Sequence, residues 1–276
     1  MRAAIDIGSN SVRLLTTDGL KRSTITKLAD GMESTGVLSP LGAETTIAVL
    51  REYVSLVGGA KLTAFATEAV RRAKDGKEFV ARVKKEVGVD ILLLSPEDEA
   101  RLALIGAKKD DGAVTVCDLG GGSLEVISAA DGVNPEYIKS LPLGVVILKN
   151  KYGNNYSKLI DEAPSLVSPY GEIKKYPVVF MGGSACNIAA GLMNLPHYDA
   201  QKVNGYKITL KDLDGFLPIL TSKNLATLRP VCAKRADTVA YGAIMIIALL
   251  NHIGVTEFTV SDSSNLEAIL RGEAAE

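Results

Sequence analysis

Two short stretches of the sequence share one pattern of chemically useful residues. Residues 6–11 and residues 118–123, 112 positions later, place an aspartate, a glycine and a serine at matching positions. Glycine permits backbone conformations with positive φ and lets backbone N–H groups approach an anion closely. An aspartate just before such a turn would repel an anion, so its expected role is to hold a cation or a water beside that anion. The repeated pattern therefore predicts two anion-binding turns.

Each of these aspartates follows an aliphatic run, and a second aliphatic run follows each turn. That order predicts a buried strand, a tight turn and a second strand, which together form a β-hairpin. Asp6 and Asp118 are candidate metal ligands. The candidate phosphate-binding residues of the two turns are Gly8, Ser9, Asn10, Ser11, Gly120, Gly121, Gly122 and Ser123. Two ordinary hairpins without a ligand are the alternative interpretation.

Glu125 lies seven positions after Asp118, on the strand that leaves the second turn. The two acids could therefore flank one metal ion or one attacking water. We treat Glu125 as a candidate both for catalysis and for metal binding. The alternative is an exposed strand residue that is merely charged, because Arg13 stands at the matching position of the first stretch.

An acidic run, residues 97–99, follows Ser95 and Pro96. Serine as N-cap and proline at the first helical position predict the start of a helix. Acids in a first turn interact favourably with the helix dipole, by roughly 0.3–1 kcal/mol each, and this is the alternative role for all three. Glu99 also shares a helix face with Leu102, which predicts an inward position. Glu99 is therefore the candidate general base of the run.

Arg71 follows a predicted strand that ends at Ala66. A guanidinium can neutralise a phosphate with two parallel hydrogen bonds, a geometry that lysine lacks. Arg71 is therefore a candidate catalytic residue. Because further cations follow it at once, a solvated surface arginine is the alternative.

A third glycine turn, residues 182–185, follows another predicted strand. It contributes Gly183 and Ser184 as further candidate phosphate-binding residues. The alternative is a helix-entry turn that packs against the strand.

The spacing of apolar residues defines the elements that must position these side chains. The predicted helices cover residues 40–57, 77–87 and 235–250, and the predicted strands cover residues 60–66, 90–94, 178–180 and 257–260. Strands and helices thus alternate in both halves of the chain. Two related α/β halves, each opened by an anion-binding hairpin, indicate two domains with a cleft between them.

The composition restricts the class of protein. The chain has 276 residues, 47% of them hydrophobic, which is ample for two packed domains. Its net charge of −1 gives no global attraction to nucleic acid or to an anionic membrane, so we expect neither as a partner. The start of the chain has no signal-peptide pattern, and its apolar runs are shorter than a membrane span. Three widely spaced cysteines, Cys117, Cys186 and Cys232, favour a cytoplasmic protein without disulfides.

Taken in order, the motifs resemble the exopolyphosphatase / guanosine pentaphosphate phosphohydrolase family. The segments that carry the resemblance are residues 4–15, 66–71, 95–102, 116–127, 140–144, 182–190 and 235–237. The resemblance implies the duplicated actin-like, sugar-kinase-like (ribonuclease H-like) α/β fold with an interdomain cleft. We expect an N-terminal domain over 1–114 and a C-terminal domain over 115–276, with the last helix, about 265–276, packing back on the first domain.

The resemblance also implies an activity, the hydrolysis of a terminal phosphoanhydride bond of polyphosphate or of a nucleotide polyphosphate, assisted by Mg²⁺ or another divalent cation. In the family, the glutamate that matches Glu99 is the catalytic base. The arginine that matches Arg71 reaches the phosphate groups. The residues that match Asp118 and Glu125 flank the metal or the attacking water.

Several questions of function stay open at this point. Leu124 stands where the family carries a threonine, so a hydroxyl that could contact phosphate is missing. Many relatives continue into a helical domain that holds long polyphosphate, so we expect short chains or a nucleotide polyphosphate as substrate. An ATPase or phosphotransferase of the same fold and a binding protein without turnover are the alternatives. The apolar helix 240–250 belongs either to the core or to a homodimer interface.

Overall fold

The computed structural model describes residues 1–107, 112–222 and 236–271. Cys232, Arg235 and the end of the expected last helix lie outside these ranges. The chain divides into two compact units, one formed by Met1–Gly106 with the segment that begins at Asn265, the other by Ala107–Ser264. Within the described ranges, every helix is too short or too polar to cross a membrane.

The secondary structure of the described residues alternates as the sequence predicts. The strands are β1 (Arg2–Ile7), β2 (Ser11–Thr16), β3 (Lys21–Ile25), β4 (Lys61–Ala66), β5 (Ile91–Leu93), β6 (Val114–Leu119), β7 (Leu124–Ala129), β8 (Tyr137–Leu141), β9 (Val178–Met181), β10 (Lys207–Thr209) and β11 (Glu257–Ser261). The helices are α1 (Met32–Thr35), α2 (Pro40–Val57), α3 (Glu68–Arg72), α4 (Gly76–Val87), α5 (Pro96–Ala107), α6 (Val145–Tyr152), α7 (Tyr156–Val167), α8 (Gly183–Leu192), α9 (Ala200–Val203), α10 (Leu210–Leu220), α11 (Ala236–Ile253) and α12 (Asn265–Arg271).

The predicted elements are present with small shifts at their ends. The helix predicted over 40–57 has those bounds, and the helix predicted over 77–87 begins one residue earlier. The strand predicted over 90–94 is shorter, because the chain turns at Ser95 to begin α5. Both hairpins predicted from the repeated stretches are present, as β1–β2 and β6–β7.

The first unit contains a five-stranded mixed sheet in the order β3-β2-β1-β4-β5. Side chains alternate between the two faces of a strand, so Ala3, Ile5 and Ile7 of β1 join the core on one face. Ala4 joins the other core, which includes residues of α5 and α12. Asp6 lies on the same face as Ala4 by this alternation. The sheet is therefore covered on both sides, which explains why β1 is apolar apart from Asp6 and its exposed first residue.

The second unit contains a six-stranded mixed sheet in the order β10-β11-β9-β6-β7-β8. The series β8-β7-β6-β9 repeats the order and the strand directions of β3-β2-β1-β4 in the first unit. The duplication seen in the sequence is thus a duplication of topology. Helix α11 is buried over nearly all of residues 240–250, which places this apolar segment in the core of the unit.

We predict that Gly76→Ala destabilises the first unit. Gly76 begins α4 where it touches α3, and a Cβ there would lie 1.9 Å from the carbonyl oxygen of Val70. Forcing the backbones apart should lower the free energy of unfolding by about 1–3 kcal/mol, measured by urea denaturation. The control is Gly215→Ala in α10, where a Cβ meets no atom within 4 Å in the part of the chain that the structure describes. That change should raise the free energy of unfolding by up to about 1 kcal/mol. Equal urea midpoints of unfolding for the two variants would contradict the prediction.

Candidate functional site

The first hairpin places Asp6 opposite Arg13. Its turn is closed by the Gly8 N–H, which donates to the Ser11 carbonyl at 3.0 Å. Arg13 donates to Asp6 Oδ2 through Nε, at 3.0 Å, and through Nη2. Asp6 is only 3% exposed, and its Oδ1 has no hydrogen-bond partner among the described residues. A buried carboxylate oxygen in this state is suited to a cation or to a water that a cation holds.

The second hairpin has the same backbone geometry, but an acid stands where the first hairpin has an arginine. The Gly120 N–H donates to the Ser123 carbonyl, again at 3.0 Å, and Asp118 lies opposite Glu125. Ser140, on the next strand, donates to Glu125 Oε1 at 2.6 Å. Two acids directly opposite each other across a hairpin repel. This pair therefore offers two carboxylates as candidate ligands of a cation, at positions where the first hairpin has an acid and Arg13.

The carbonyl groups of the second turn are held by the start of α6. The backbone N–H groups of residues 144–146 donate to the carbonyl oxygens of residues 120–122, at 2.9–3.2 Å. In a planar trans peptide the C=O and the N–H of one unit point in opposite directions. The N–H groups of residues 121–123 consequently point away from α6. Within the described part of the chain, these three N–H groups have no protein acceptor.

The first turn is held in the same way by a different segment. The N–H groups of Thr26 and Lys27 donate to the Asn10 carbonyl at 3.0 Å, and the N–H of Ala29 donates to the Ser9 carbonyl at 2.9 Å. The peptide N–H groups of Asn10 and Ser11 are thereby turned away from this segment. Both predicted turns thus expose backbone donors, which is the chemistry of an anion site.

The third glycine turn lies beside the second hairpin. Strands β6 and β9 are parallel neighbours, with Asp118 in register with Met181. Gly182 has a φ of 93°, and a Cβ on it would lie 2.7 Å from the Leu119 carbonyl oxygen and 3.1 Å from Asp118 Oδ1. Both the positive φ and the close approach require glycine at this position.

Helix α8 begins in this turn, at Gly183, and no described side chain caps it. Its first N–H groups therefore form a second set of backbone donors near Asp118, at the positive end of the helix dipole. The Ser184 side chain is only 5% exposed and packs against Gly242 of α11. Any contact of Ser184 with an anion is thus expected from its backbone N–H rather than from its hydroxyl.

Arg71 and Glu99, which are 28 positions apart, are in direct contact. Arg71 Nη1 donates to Glu99 Oε2 at 2.9 Å and also to the Leu94 carbonyl. They meet because β4 and β5 are parallel neighbours, so that the segments after both strands begin at the same sheet edge. A guanidinium has five N–H donors, so Arg71 has donors beyond those in these two bonds. The pair places a carboxylate and a cation side by side, both half-buried.

The three acids at the start of α5 have different environments. Ser95 is the N-cap, as the sequence predicts, and its Oγ accepts from the Asp98 N–H at 3.1 Å and donates to Asp98 Oδ2 at 2.7 Å. Asp98 is therefore a capping residue, and Glu97 is exposed to solvent. Glu99 alone contacts Arg71. The neighbouring Arg72 instead pairs with Glu68 on the surface of α3, as expected for a solvated cation.

The sequence analysis expected that Leu124 costs the protein a hydroxyl contact with phosphate, and this expectation is wrong. The side chain of Leu124 is fully buried and belongs to the core of the second unit. Tyr170 donates to the Leu124 carbonyl from within the same core. A threonine hydroxyl at this position would also lie in the core, so leucine there removes no contact with a ligand.

The residues present fit a magnesium ion. Among the described residues, no group of three or more His, Cys, Asp or Glu side chains is arranged around a point. Asp118 and Glu125 nevertheless supply two carboxylates, and Mg²⁺ is commonly held by one or two carboxylates together with phosphate oxygens and waters. Burial raises the pKa of the Cys117 thiol, and the charge of Asp118 raises it further. The Cys117 side chain belongs to the core of the unit, on the face of β6 opposite to Asp118.

The sequence analysis missed several residues that contribute to the candidate site. Arg13 was noted only as the counterpart of Glu125, and the cross-strand register makes it the partner of Asp6. Ser140 lies in a motif that carried no assigned role, yet it orients Glu125. The residues that hold the two turns, 26–29 and 144–146, have no sequence in common, so no pattern could have revealed their shared role.

Known proteins show clear similarity to this chain. Exopolyphosphatase 1 of Mycobacterium tuberculosis is 37% identical over 157 residues, which cover 51% of this chain and 45% of that relative, less than half of its length. Exopolyphosphatase 2 of the same organism is 27% identical over 97% of this chain and 96% of that relative. A crystal structure of the Aquifex aeolicus Ppx/GppA phosphatase is 30% identical, with a TM-score of 0.82 over 99% of both chains.

These matches agree with the repeated topology. The shared fold with the Aquifex aeolicus structure confirms the duplicated α/β fold class expected from the sequence. The sequence model of the Ppx/GppA phosphatase family matches residues 9–275, and thus nearly all of the chain. This chain belongs to the Ppx/GppA phosphatase family.

Proposed function

We propose that this chain hydrolyses the terminal phosphoanhydride bond of inorganic polyphosphate or of a nucleotide polyphosphate. The observation that carries the proposal is the orientation of the two turns, whose carbonyl groups are held from one side so that their N–H groups face the other. Within each turn, backbone donors that face one side can bind an oxyanion. Family membership and relatives named exopolyphosphatase support phosphate as the anion.

The chemical step assigns a role to each candidate residue. Glu99 takes a proton from a water, and the water oxygen forms a bond to the terminal phosphorus. The bond from that phosphorus to the bridging oxygen breaks, and the shortened chain leaves with the electron pair. Arg71 neutralises charge on the phosphoryl group as it is transferred. Its contact with Glu99 supports this assignment, because the cation and the base then act on neighbouring atoms.

Asp118 and Glu125 would hold the divalent cation in the second unit, and Asp6 Oδ1 is the corresponding candidate in the first unit. A bound Mg²⁺ supplies charge neutralisation for the phosphate groups and polarises the attacked phosphorus. Ser140 keeps the Glu125 carboxylate oriented by donating to Oε1. Two negative side chains beside a polyanion would otherwise oppose binding.

Two alternative functions remain to be compared with hydrolysis, a binding protein without turnover and an ATPase or phosphotransferase. Leu124 was the main support for a binding protein without turnover, and its burial removes that support. An ATPase or phosphotransferase is tested by the choice of substrate. The deciding assay measures phosphate release from tripolyphosphate, longer polyphosphate, guanosine pentaphosphate, ATP and ADP, each with and without Mg²⁺. We expect release from tripolyphosphate or guanosine pentaphosphate, and release from ATP alone would favour the ATPase.

We predict that Glu99→Gln lowers kcat by at least about 100-fold, because general-base help of this kind is worth ~10²–10⁴-fold. The KM for the best substrate should change little, since the amide keeps the shape of the side chain. The matched controls are Glu97→Gln, an exposed acid of the same helical turn, and Asp98→Asn, which perturbs the cap. Both controls should keep kcat within about threefold, and wild-type turnover in Glu99→Gln would refute the base assignment.

We predict that Gly122→Ala weakens phosphate binding without unfolding the protein. Gly122 does not have a positive φ, and a Cβ on it meets no atom of the described residues within 4 Å. The fold therefore tolerates alanine there, but the methyl group occupies space beside the exposed N–H groups. The KM for tripolyphosphate should rise at least about tenfold, the loss of roughly one charge-assisted hydrogen bond. An unchanged KM at an unchanged melting temperature would show that phosphate binds elsewhere.

We predict that Asp118→Asn and Glu125→Gln each raise the Mg²⁺ concentration needed for half-maximal activity by about tenfold or more, because each removes one ligand charge. Chelation by EDTA should abolish activity, and added Mg²⁺ should restore it. The control is Asp161→Asn on α7, an exposed acid of the same unit. If all three variants gave the same Mg²⁺ titration, the two acids would not be the metal ligands.

A further inference from the structure

We propose that residues 144–146, at the start of α6, are the positioning element of the second turn, and that their backbone N–H groups set the affinity of this turn for phosphate. The proposal rests on the proposed function, because it concerns how the same turn binds the same anion. It assigns a role to a segment that contains no charged side chain and no residue expected to contact the substrate.

The argument starts from the peptide planes. Each carbonyl of residues 120–122 accepts a hydrogen bond from this segment, and each shares a rigid planar unit with the N–H of the following residue. A bond to the carbonyl therefore fixes the direction of the next N–H. Without it, that peptide could rotate about its neighbouring φ and ψ, which glycine residues restrict least. Three bonds thus pre-organise three donors.

Gly144 shows that this contact is specific. A Cβ on Gly144 would lie 2.3 Å from the carbonyl carbon and oxygen of Gly121 and 2.4 Å from the carbonyl carbon of Gly122. Its φ of −68° is accessible to any residue. Glycine at this position is required by the approach of the turn, and not by the local conformation of the chain.

The first turn provides independent support. Thr26, Lys27 and Ala29 hold the carbonyl groups of Ser9 and Asn10 in the equivalent manner, directly after the third strand of the unit. The two holding segments differ in sequence and in conformation, one being a turn and the other the start of a helix. The same backbone bonds recur in both copies, which indicates that they serve the turns that they hold.

A purely structural role makes a different prediction. The first N–H groups of a helix lack partners within the helix, and the turn carbonyls could simply cap α6. In that case, removal of one of these N–H groups would lower stability and leave the affinity for phosphate unchanged. A positioning role predicts a loss of affinity beyond the loss of stability.

The test replaces Val145 by its α-hydroxy acid, which exchanges the backbone N–H for an ester oxygen and keeps the side chain. This deletes the 3.1 Å bond to the Gly120 carbonyl. The control is the same replacement at Leu159, whose N–H donates to the Asn155 carbonyl at 3.3 Å in the first turn of α7. Binding of tripolyphosphate with Mg²⁺ is measured by calorimetry in the Glu99→Gln background, together with the melting temperature of each protein.

We expect the Kd for tripolyphosphate to rise about tenfold for the Val145 ester, as for one weakened charge-assisted hydrogen bond. The Leu159 ester should show a similar melting temperature and an unchanged Kd. As a second variant, Gly144→Ala should also raise the Kd, because its methyl group displaces the Gly121 backbone.

The outcomes separate this proposal from the proposed function. Equal Kd values for the Val145 ester and its parent would overturn the positioning role, whereas phosphate release by the wild type would still support hydrolysis. A wild type that binds tripolyphosphate without releasing phosphate would overturn hydrolysis, and a raised Kd of the ester would still support positioning. A wild type that does not bind tripolyphosphate would overturn both.

Discussion

The opposite directions of C=O and N–H within one planar peptide are the constraint on which both candidate anion sites depend. A short turn directs its N–H groups toward a ligand only when hydrogen-bond donors on the other side of the turn hold its carbonyl groups. In this protein the backbone donors of residues 26–29 and 144–146 meet that need. Each candidate site therefore consists of two layers of main chain, a turn that faces the ligand and a segment that holds the turn. Side chains matter mainly at Gly144 and Gly182, where the close approach of backbone leaves no room for one.

The two hairpins share one backbone and differ in charge. At matching cross-strand positions, the first pairs Asp6 with Arg13, and the second pairs Asp118 with Glu125. Asp6 is ion-paired with Arg13, whereas the second hairpin brings two acids face to face, an arrangement that attracts cations. The duplicated hairpins are thus two candidate anion sites, and the acid at the position that matches Arg13 makes the second the better candidate for holding a metal. Among the described residues, Asp6 Oδ1 has no hydrogen-bond partner, which leaves a smaller role in cation binding for the first hairpin.

The contact of Arg71 with Glu99 depends on the parallel pairing of β4 and β5, which brings the segments after both strands to one sheet edge. The N-cap at Ser95 then fixes where α5 begins and which acid of the run faces Arg71. The three acids are consecutive in the helix, yet Glu97 is exposed, Asp98 takes part in the cap and Glu99 is the candidate base. Precise placement of this kind is what proton transfer requires, because a base must lie within hydrogen-bond reach of the water that it activates.

The sequence by itself determined the elements, the duplication and the residues of both turns, because apolar periodicity, caps and glycine-rich turns are local properties of the chain. It also made Glu99 the candidate base, from its helix face together with the family resemblance. Only the tertiary structure decided that Leu124 is a core residue, that Arg13 neutralises Asp6, and that residues 26–29 and 144–146 hold the turns. These facts depend on which strands pair and in which register. Contacts between residues distant in sequence are set by the packing of the whole unit, and main-chain hydrogen bonds can form between residues of almost any type, so a pattern of side chains does not predict them.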